Sequence, residues 1–266
     1  MPFVNIGEFT LYYQETGTDD SRPPLVFKHG FTLDHRMWRP QAEFFGRTRR
    51  VICVDARGHG KSDAPTTGYS RADRVEDLRR FVDALAIERF HLVGLSMGGT
   101  TSIGFALKHQ ERLASLTLVS SAAAGWDVSS KVPLVDRVAR EQGLEAARRK
   151  WKQITLSFYK EDRQDIKALM DRMIDDFSGA TWMDPKRGRY RRDDDLPNVH
   201  KITVPTAIVA GELDRIFVPL AELLHERIAG SVLRVYPDAG HMVNLEKPEP
   251  FNRDLESFFN RVEHNG

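Results

Sequence analysis

The chain has 266 residues, and its 39 Lys and Arg residues nearly balance its 38 Asp and Glu residues. This balance argues against a nucleic-acid-binding protein, because such proteins carry a strong basic excess. The hydrophobic fraction of 41% is sufficient for a substantial core, whereas no apolar run approaches the roughly 20 residues that a membrane-spanning helix requires. The length suits one domain with a smaller inserted lobe.

The N-terminus and the cysteine content predict the cellular compartment. The first six residues contain no basic segment followed by an apolar one, so we expect no signal peptide. Cys53 is the single cysteine and lies in an apolar run, which indicates a buried and unreactive thiol. The chain is therefore expected to be cytoplasmic, with no membrane partner. Its oligomeric state is not specified by the sequence, and a homo-oligomer is compatible with it.

Short apolar runs bounded by Gly, Asp or Pro predict the buried strands of a parallel sheet. They lie at residues 10–14, in a predicted hairpin, and at 25–28, 51–54, 92–93, 116–119, 206–210 and 232–235. Between them, apolar residues three and four positions apart predict helices, for example over 75–85 and 220–228. This alternation predicts an α/β fold with a mostly parallel central sheet and helices on both faces.

Residues 125–199 interrupt this alternation. They are rich in Trp, Met and charged residues, and they contain no run typical of a strand. The segment is too long for an ordinary loop. We interpret it as a helical cap inserted into a core domain formed by residues 1–124 and 200–266, and we expect most of its aromatic side chains to pack the cap against that core.

The sequence around Ser96 predicts a nucleophile. An apolar run leads into Gly94-Leu95-Ser96-Met97-Gly98-Gly99, and a helix-compatible segment follows. A serine becomes an effective nucleophile when a sharp strand-to-helix turn holds it exposed beside a base. Gly94 and Gly98 leave room where the backbone folds back on itself.

Position along the chain selects the base and the acid that this serine requires. Functional side chains of an open parallel sheet gather beyond the carboxyl ends of its strands. His241 follows the last predicted strand within a turn-rich loop, and Asp214 follows the strand before it. Asp55 competes for the acid role, although we favour a role in ordering the loop 57–60. Glu212 is a weaker competitor, since it should point away from the side on which Asp214 lies.

Four segments resemble those of the α/β-hydrolase superfamily, and they occur in the same order. They are Lys28-His29-Gly30-Phe31, Asp55-Ala56-Arg57-Gly58-His59-Gly60-Lys61-Ser62, Gly94-Leu95-Ser96-Met97-Gly98-Gly99, and Gly211-Glu212-Leu213-Asp214 with Ala239-Gly240-His241. The resemblance covers almost the whole chain. It implies the α/β-hydrolase fold with an inserted helical cap, and a Ser96, Asp214, His241 triad that requires neither a metal nor an organic cofactor.

The resemblance also implies an oxyanion hole. One donor is the backbone N–H of Met97, the residue after the nucleophile, and the other is the backbone N–H of Phe31 in the loop after the third strand. His29 and His59 are expected to hold their loops rather than to transfer protons. Five other histidines are expected to be exposed, namely His35, His109, His200, His225 and His264.

The implied reaction is the cleavage of a carboxylic ester or lactone through an acyl-enzyme. The chain is most similar to small bacterial esterases, enol-lactone hydrolases and cofactor-free haloperoxidases (perhydrolases), a likeness that includes the segment Arg36-Met37-Trp38. A serine at the elbow argues against haloalkane dehalogenases and epoxide hydrolases, in which an aspartate attacks. Three alternatives stay open: a carbon–carbon bond hydrolase, a perhydrolase, and a hydrolase-like small-molecule receptor.

Substrate choice is expected to depend on the cap and on residues beside the nucleophile. The candidates are Phe31, Leu33, Met97 and Trp126. An aromatic, Met-rich lining favours a hydrophobic acyl or alcohol group in a small-molecule substrate. Arginines of the cap as ligands of a substrate carboxylate are a less favoured hypothesis than ordinary surface charge.

Overall fold

The chain folds around one eight-stranded sheet. A computed structural model describes residues 2–18, 21–126, 131–186 and 194–265. Across the sheet the strands follow the order β1-β2-β4-β3-β5-β6-β7-β8. Strand β2 is antiparallel to β1 and β4, and the neighbours from β4 to β8 are all parallel. The strands are β1 (Phe3–Asn5), β2 (Thr10–Thr16), β3 (Leu25–Lys28), β4 (Val51–Val54), β5 (Phe90–Leu95), β6 (Leu113–Val119), β7 (Thr206–Gly211) and β8 (Val232–Tyr236).

Each predicted apolar run lies within a strand, and the runs at 25–28 and 51–54 coincide with β3 and β4. All residues of β3, β4, β5, β6 and β7 are buried, because helices cover both faces of the sheet. This burial explains why their sequences are mainly apolar, and the polar residues among them, such as Lys28 and His91, are buried as well. Strand β1 was not predicted, since it has only three residues and two of them are exposed.

Helices form a layer on each face of the sheet, as predicted. On one face, apolar side chains of α2, α3 and α8 pack into one core cluster, and on the other α1, α9 and α10 contribute to a second. The helices are α1 (Arg39–Phe45), α2 (Arg71–Ala84), α3 (Met97–His109), α4 (Val132–Gln142), α5 (Leu144–Thr155), α6 (Gln164–Asp176), α7 (Ala180–Met183), α8 (Val218–Arg227), α9 (Val243–Glu246) and α10 (Pro248–Asn265). Among the described residues, none of these helices is long and apolar enough to cross a membrane.

The described residues between β6 and β7 contain the helices α4 to α7 and no strand. Their apolar faces form a third cluster around Trp151, Phe177 and Trp182, and the partly buried Phe31 of the sheet domain packs against it. This arrangement agrees with a helical cap, while the boundaries at 125 and 199 stay a prediction.

Cys53 is fully buried in β4. Burial raises the pKa of its thiol, so the side chain stays protonated and behaves as a small apolar group.

Candidate active site

Ser96 occupies a strained turn between β5 and α3. Its backbone has φ 53° and ψ −111°, outside the regions that non-glycine residues ordinarily adopt. A Cβ at Gly94 would lie 2.5 Å from the carbonyl oxygen of Gly98, and a Cβ at Gly98 would lie 2.3 Å from the carbonyl oxygen of Lys28. Both glycines are therefore required by close backbone approach, which is the reason that the sequence suggested for them.

His241 and Asp214 meet beyond the carboxyl ends of β7 and β8. The distance between His241 Nδ1 and Asp214 Oδ2 is 2.6 Å, and both side chains are buried. An Nδ1–H that donates to this carboxylate leaves Nε2 with a lone pair, the tautomer that a general base requires. The imidazole packs between Phe158 and Phe217, with ring centroids 4.8 and 4.7 Å away.

Glu246 fixes the loop that carries His241. Its Oε1 accepts a 2.9 Å hydrogen bond from the Gly240 N–H, and its Oε2 accepts a 3.1 Å bond from the Lys160 N–H. The Met242 N–H donates in turn to the carbonyl of Phe158. Burial raises the pKa of Glu246. The carboxylate thus joins the histidine loop to the helical segment between α5 and α6.

The loop after β3 is held by a side chain of α5. The Trp151 Nε1–H donates a 2.7 Å hydrogen bond to Thr32 Oγ1, and the Thr32 hydroxyl donates a 2.6 Å bond to the carbonyl of Phe31. Thr32 has a left-handed backbone, with φ 63°. The Phe31 ring contacts Trp151, Phe177 and Trp182 edge-on, at centroid distances of 5.4, 5.7 and 6.3 Å.

Met97 is the first residue of α3. The first four N–H groups of a helix have no intrahelical acceptor, and they lie at the positive end of the helix dipole. The Met97 N–H therefore has the position and the polarity that an oxyanion donor needs. Phe31 and Met97 both line the same cavity as Ser96.

The two loop histidines make the hydrogen bonds of structural residues. His29 Nδ1 lies 2.8 Å from the carbonyl of Gly30, to which it donates, and Nε2 accepts a 2.8 Å bond from the Ala56 N–H. Burial lowers the pKa of His29 to about 3. His59 Nδ1 lies 2.9 Å from the carbonyl of Arg57, and burial holds its pKa well below the usual value. Both rings are neutral at physiological pH.

Asp55 connects the loop after β3, which contains His35, with the loop after β4, which contains Lys61. Its Oδ1 accepts hydrogen bonds of 2.7 and 2.9 Å from the N–H and ring Nδ1 of His35, and its Oδ2 accepts one of 3.0 Å from the Lys61 N–H. Asp55 was expected to order the loop 57–60, and it does bind the backbone of Lys61, the residue that directly follows this loop. The expectation that His35 is exposed is wrong, because these hydrogen bonds to Asp55 hold the residue at 7% exposure.

One group of side chains has the composition of a metal site. Ligand atoms of Asp34, His35 and Asp55 all lie within 4.8 Å of one another. These atoms already have partners, since Asp34 binds Arg36 through three hydrogen bonds to its side chain and Asp55 binds His35. Asp34, His35 and Asp55 therefore form a hydrogen-bonded network that holds the loops after β3 and β4.

A cavity of about 340 Å³ opens beside Ser96. Side chains of the sheet domain and of α4, α5 and α6 enclose it, and its walls are mainly apolar. The described residues that line it are Gly30, Phe31, Leu33, Arg74, Leu95, Ser96, Met97, Thr100, Ala122, Lys131, Val132, Trp151, Ile154, Thr155, Ser157, Phe158, Met170, Thr181, Ile216, Phe217, His241 and Met242. Ser96 and His241 thus face one space that is large enough for a small organic molecule.

Comparison with known proteins identifies the family of this chain. The family model described as the alpha/beta hydrolase fold matches residues 23–248, most of the chain. The chain belongs to the α/β-hydrolase family.

Individual relatives of this α/β hydrolase match it over nearly its full length. The chain is 32% identical to a 2-hydroxy-6-oxononadienedioate/2-hydroxy-6-oxononatrienedioate hydrolase of Klebsiella pneumoniae, over 98% of the chain and 96% of the relative. It is 28% identical to 3-oxoadipate enol-lactonase 1 of Acinetobacter baylyi, over 96% and 94%. Among solved structures, Est816, described as an N-acyl homoserine lactone degrading enzyme, is 28% identical with a TM-score of 0.82, over 97% and 100%.

The two substrate-binding candidates of this α/β hydrolase lie in different places. Leu33 lines the cavity. Trp126 is not among the described lining residues, because it is partly buried and packs against the core cluster formed with α2, α3 and α8. The prediction that Trp126 contacts substrate is therefore not supported by the geometry.

Sequence reasoning missed several residues of the α/β-hydrolase site. Thr32 and Trp151 hold the Phe31 loop, Phe217 packs against His241, and Arg74 places a guanidinium group at the cavity. None of them belongs to a motif with a fixed spacing. The one signal available in the sequence was Thr32, which follows Phe31 in the loop. A threonine hydroxyl in a sharp turn needs a hydrogen-bond partner, and this need could have indicated a contact with another segment.

A second serine–histidine–carboxylate arrangement lies at the opposite ends of the strands. His91 Nδ1 is 2.7 Å from Ser115 Oγ, and His91 Nε2 is 2.9 Å from Glu263 Oε1, which also binds Arg49. His91 and Ser115 are completely buried, and neither lines the cavity. This group fastens α10 to the sheet.

Proposed function

We propose that this α/β hydrolase cleaves carboxylic esters or lactones through a Ser96 acyl-enzyme. The observation that carries the proposal is the 2.6 Å contact between His241 Nδ1 and Asp214 Oδ2 at the cavity that Ser96 also lines. A histidine oriented by a buried carboxylate and facing a serine in a strained elbow is the arrangement of a nucleophile with its base.

The proposed reaction proceeds in two steps. His241 Nε2 takes the proton of the Ser96 hydroxyl as Oγ attacks the carbonyl carbon, and the backbone N–H groups of Phe31 and Met97 hold the tetrahedral oxyanion. His241 then gives its proton to the leaving alcohol. Water, deprotonated by His241, then attacks the acyl-enzyme, and the protonated His241 returns this proton to Ser96 Oγ as the carboxylic acid leaves. No step needs a metal or an organic cofactor, and we infer a cytoplasmic site of action.

The activities for which the relatives are named support ester or lactone substrates. They include an enol-lactonase and an N-acyl homoserine lactone degrading enzyme. A second candidate is carbon–carbon bond hydrolysis, which the 32% identical relative favours because the dienedioate in its name contains no ester or lactone bond. The same nucleophile and base serve both reactions.

A substrate panel tests the proposal. The wild-type enzyme and Ser96→Ala are assayed with 4-nitrophenyl esters of two to eight carbons, with five- and six-membered lactones and enol lactones, and with vinylogous 1,5-diketones. Ester or lactone turnover that disappears in Ser96→Ala supports the proposal. If only the diketones are turned over, carbon–carbon bond hydrolysis becomes the assigned function. Retention of ester turnover in Ser96→Ala would overturn both, and ligand binding without any turnover would favour a receptor.

A further inference from the structure

We propose that Glu246 is a positioning residue for the base His241, and that its carboxylate ties the placement of His241 to the segment between α5 and α6 (residues 156–163). The inference rests on the proposed function, since it assigns a residue outside the triad to the same reaction. The expected effect falls on the chemical step rather than on substrate binding.

The backbone is held on both sides of His241. Before it, the Gly240 N–H donates a 2.9 Å hydrogen bond to Glu246 Oε1, and after it, the Met242 N–H donates a 3.1 Å bond to the carbonyl of Phe158. The Phe158 ring also packs against the imidazole. Because His241 lies between these two anchors, a shift of either one displaces its ring.

Glu246 joins the two anchors. Its Oε2 accepts a 3.1 Å hydrogen bond from the Lys160 N–H, two residues after Phe158 in the same segment. One carboxylate oxygen thus holds the histidine loop, and the other holds the segment between α5 and α6. The two are in close contact here, since a Cβ at Gly240 would lie 2.9 Å from the carbonyl oxygen of Phe158 and 3.1 Å from Glu246 Oε1.

This arrangement needs a carboxylate in particular. Two backbone N–H donors face Glu246, one on each oxygen, so both oxygens must accept. An ionised carboxylate accepts at both oxygens, whereas a glutamine amide has one acceptor oxygen and an NH₂ group that would face the second donor. Glu246→Gln therefore keeps the size of the side chain and breaks one of the two connections.

The surroundings of Glu246 indicate a role other than ordinary stabilisation. The residue is buried, and burying a carboxylate without a paired cation costs free energy. The two cations that act on it electrostatically form their ion pairs elsewhere, Lys160 with Asp238 and Arg163 with Asp165. Such a carboxylate adds little net stability, yet its two charge-assisted hydrogen bonds fix the distance between the segments that they join.

The placement of His241 determines how well it can deprotonate Ser96. A misplacement of about 1 Å can cost about 100-fold in rate, and a partial displacement should cost less. We therefore expect Glu246→Gln to lower kcat by about tenfold, a part of what a positioned base contributes. Glu246 is not among the described residues that line the cavity, so KM should change little.

Steady-state hydrolysis of 4-nitrophenyl acetate and hexanoate measures this effect, with Glu212→Gln as the matched control. Glu212 Oε2 also accepts a hydrogen bond from the histidine loop, from the Asp238 N–H at 3.1 Å, but a single acceptor suffices there and glutamine supplies it. Glu246→Gln should lower kcat by the same factor for both esters, because the base serves every acyl chain, and Glu212→Gln should stay near wild type. A raised KM with kcat unchanged, or an altered preference between the esters, would mean that Glu246 shapes the cavity and would overturn the positioning role.

Phosphorylation of Ser96 by diethyl 4-nitrophenyl phosphate separates this inference from the proposed function. Ser96 Oγ attacks phosphorus, 4-nitrophenolate leaves, and His241 takes the serine proton, so the rate reports on the base without ester turnover. Glu246→Gln should slow this single release of nitrophenolate by about the factor seen in kcat.

Each outcome of this comparison decides one of the proposals. If the wild-type enzyme is phosphorylated but cleaves no ester or lactone, the proposed function fails, and the phosphorylation rates still decide the role of Glu246. Equal phosphorylation rates in the wild-type enzyme and Glu246→Gln would refute that role and leave ester hydrolysis standing. If neither reaction occurs in the wild-type enzyme, both proposals fail.

A backbone substitution decides the question if Glu246→Gln does not fold. Lys160→Pro removes the N–H that Glu246 binds, and the extended backbone of Tyr159 is compatible with a following proline. Lys160→Ala keeps this N–H and removes only the surface ion pair with Asp238, which contributes little. Lys160→Pro should lower kcat and the phosphorylation rate, and Lys160→Ala should change neither. Equal rates in these two variants would overturn the positioning role.

Discussion

The indole N–H of Trp151 donates a 2.7 Å hydrogen bond to the hydroxyl of Thr32, and so a helix inserted after β6 is bonded to the loop after β3. The same hydroxyl donates to the carbonyl of Phe31. In the proposed mechanism the Phe31 N–H holds the oxyanion. Trp151 is therefore a positioning residue for this donor, in addition to forming a wall of the cavity.

Trp151→Phe should lower kcat by about tenfold with a smaller change in KM. The substitution keeps an aromatic ring against Phe31 but removes the N–H that fixes Thr32. Complete loss of an oxyanion donor costs on the order of 100-fold or more, and a displaced donor should cost less. Steady-state kinetics of Trp151→Phe, Thr32→Val and the double variant measure the coupling. Thr32→Ser, which keeps the hydroxyl, should stay near wild type. Additive effects of the two substitutions on kcat would contradict the positioning role.

Asp214→Asn should lower kcat about 10⁴-fold while leaving the fold intact. An amide in place of the carboxylate favours the wrong histidine tautomer and cannot stabilise the imidazolium. The matched control is Glu212→Gln, because Glu212 lies two residues away and its Oε2 accepts a hydrogen bond from the Asp238 backbone. This control should keep nearly full activity. Comparable losses in the two variants would reassign the acid.

Buried neutral histidines should make the protein sensitive to acid. Burial lowers the pKa of His29 to about 3 and lowers that of His59 as well. Below pH 6.5 the unfolded chain binds protons that the folded chain excludes, so stability is complete above pH 6.5 and falls as the pH drops. Protonation of the unfolded chain at His29 should cost about 2 kcal/mol of stability between pH 6.5 and pH 5, and His59 adds to this loss.

Urea unfolding at pH 7 and pH 5 measures this effect. In His59→Phe the difference in unfolding free energy between the two pH values should shrink by up to about 2 kcal/mol, since one of the protonation events is removed. His200→Phe is the control, because His200 is exposed. An unchanged pH dependence in His59→Phe would show that His59 is not held neutral.

Lys28→Met should stabilise the protein at pH 7. Lys28 is only 3% exposed, and burial lowers its pKa to about 8, although the nearby carboxylates of Asp77 and Asp55 favour the charged form. A shift of this size corresponds to about 3 kcal/mol of destabilisation below pH 8, which disappears as the pH rises towards 10.5.

Thermal unfolding across pH 7 to 10.5 tests this assignment. The gain from Lys28→Met should be largest at pH 7 and should decline as the wild-type lysine loses its proton. Lys108→Met, at an exposed position near the end of α3, should have little effect at any pH. A loss of stability in Lys28→Met at neutral pH would mean that the buried ammonium is fully compensated.

The sequence predicted what depends on local pattern. A fully buried strand such as β4 is a continuous apolar run, and the elbow at Ser96 requires glycines at fixed positions, so both leave a readable signal. Asp214 and His241 could be selected because strand ends in a parallel sheet share one edge. What could not be predicted depends on how α4 to α7 pack against the sheet. Trp126 and Trp151 look equivalent in sequence, yet one packs into the core and the other lines the cavity. His35 was misassigned because its hydrogen-bond partner Asp55 is twenty residues away.

The chain order of Ser96, Asp214 and His241 has a consequence for biosynthesis. The elbow strand β5 pairs with β3 and β6, so the strands that hold the elbow lie within the first half of the chain. The acid and the base belong to the last fifth. In the proposed mechanism, a nascent chain that ends before β7 would therefore hold the serine without the groups that remove its proton. On that mechanism, the elbow gains its base only after β8 has been added to the edge of the sheet.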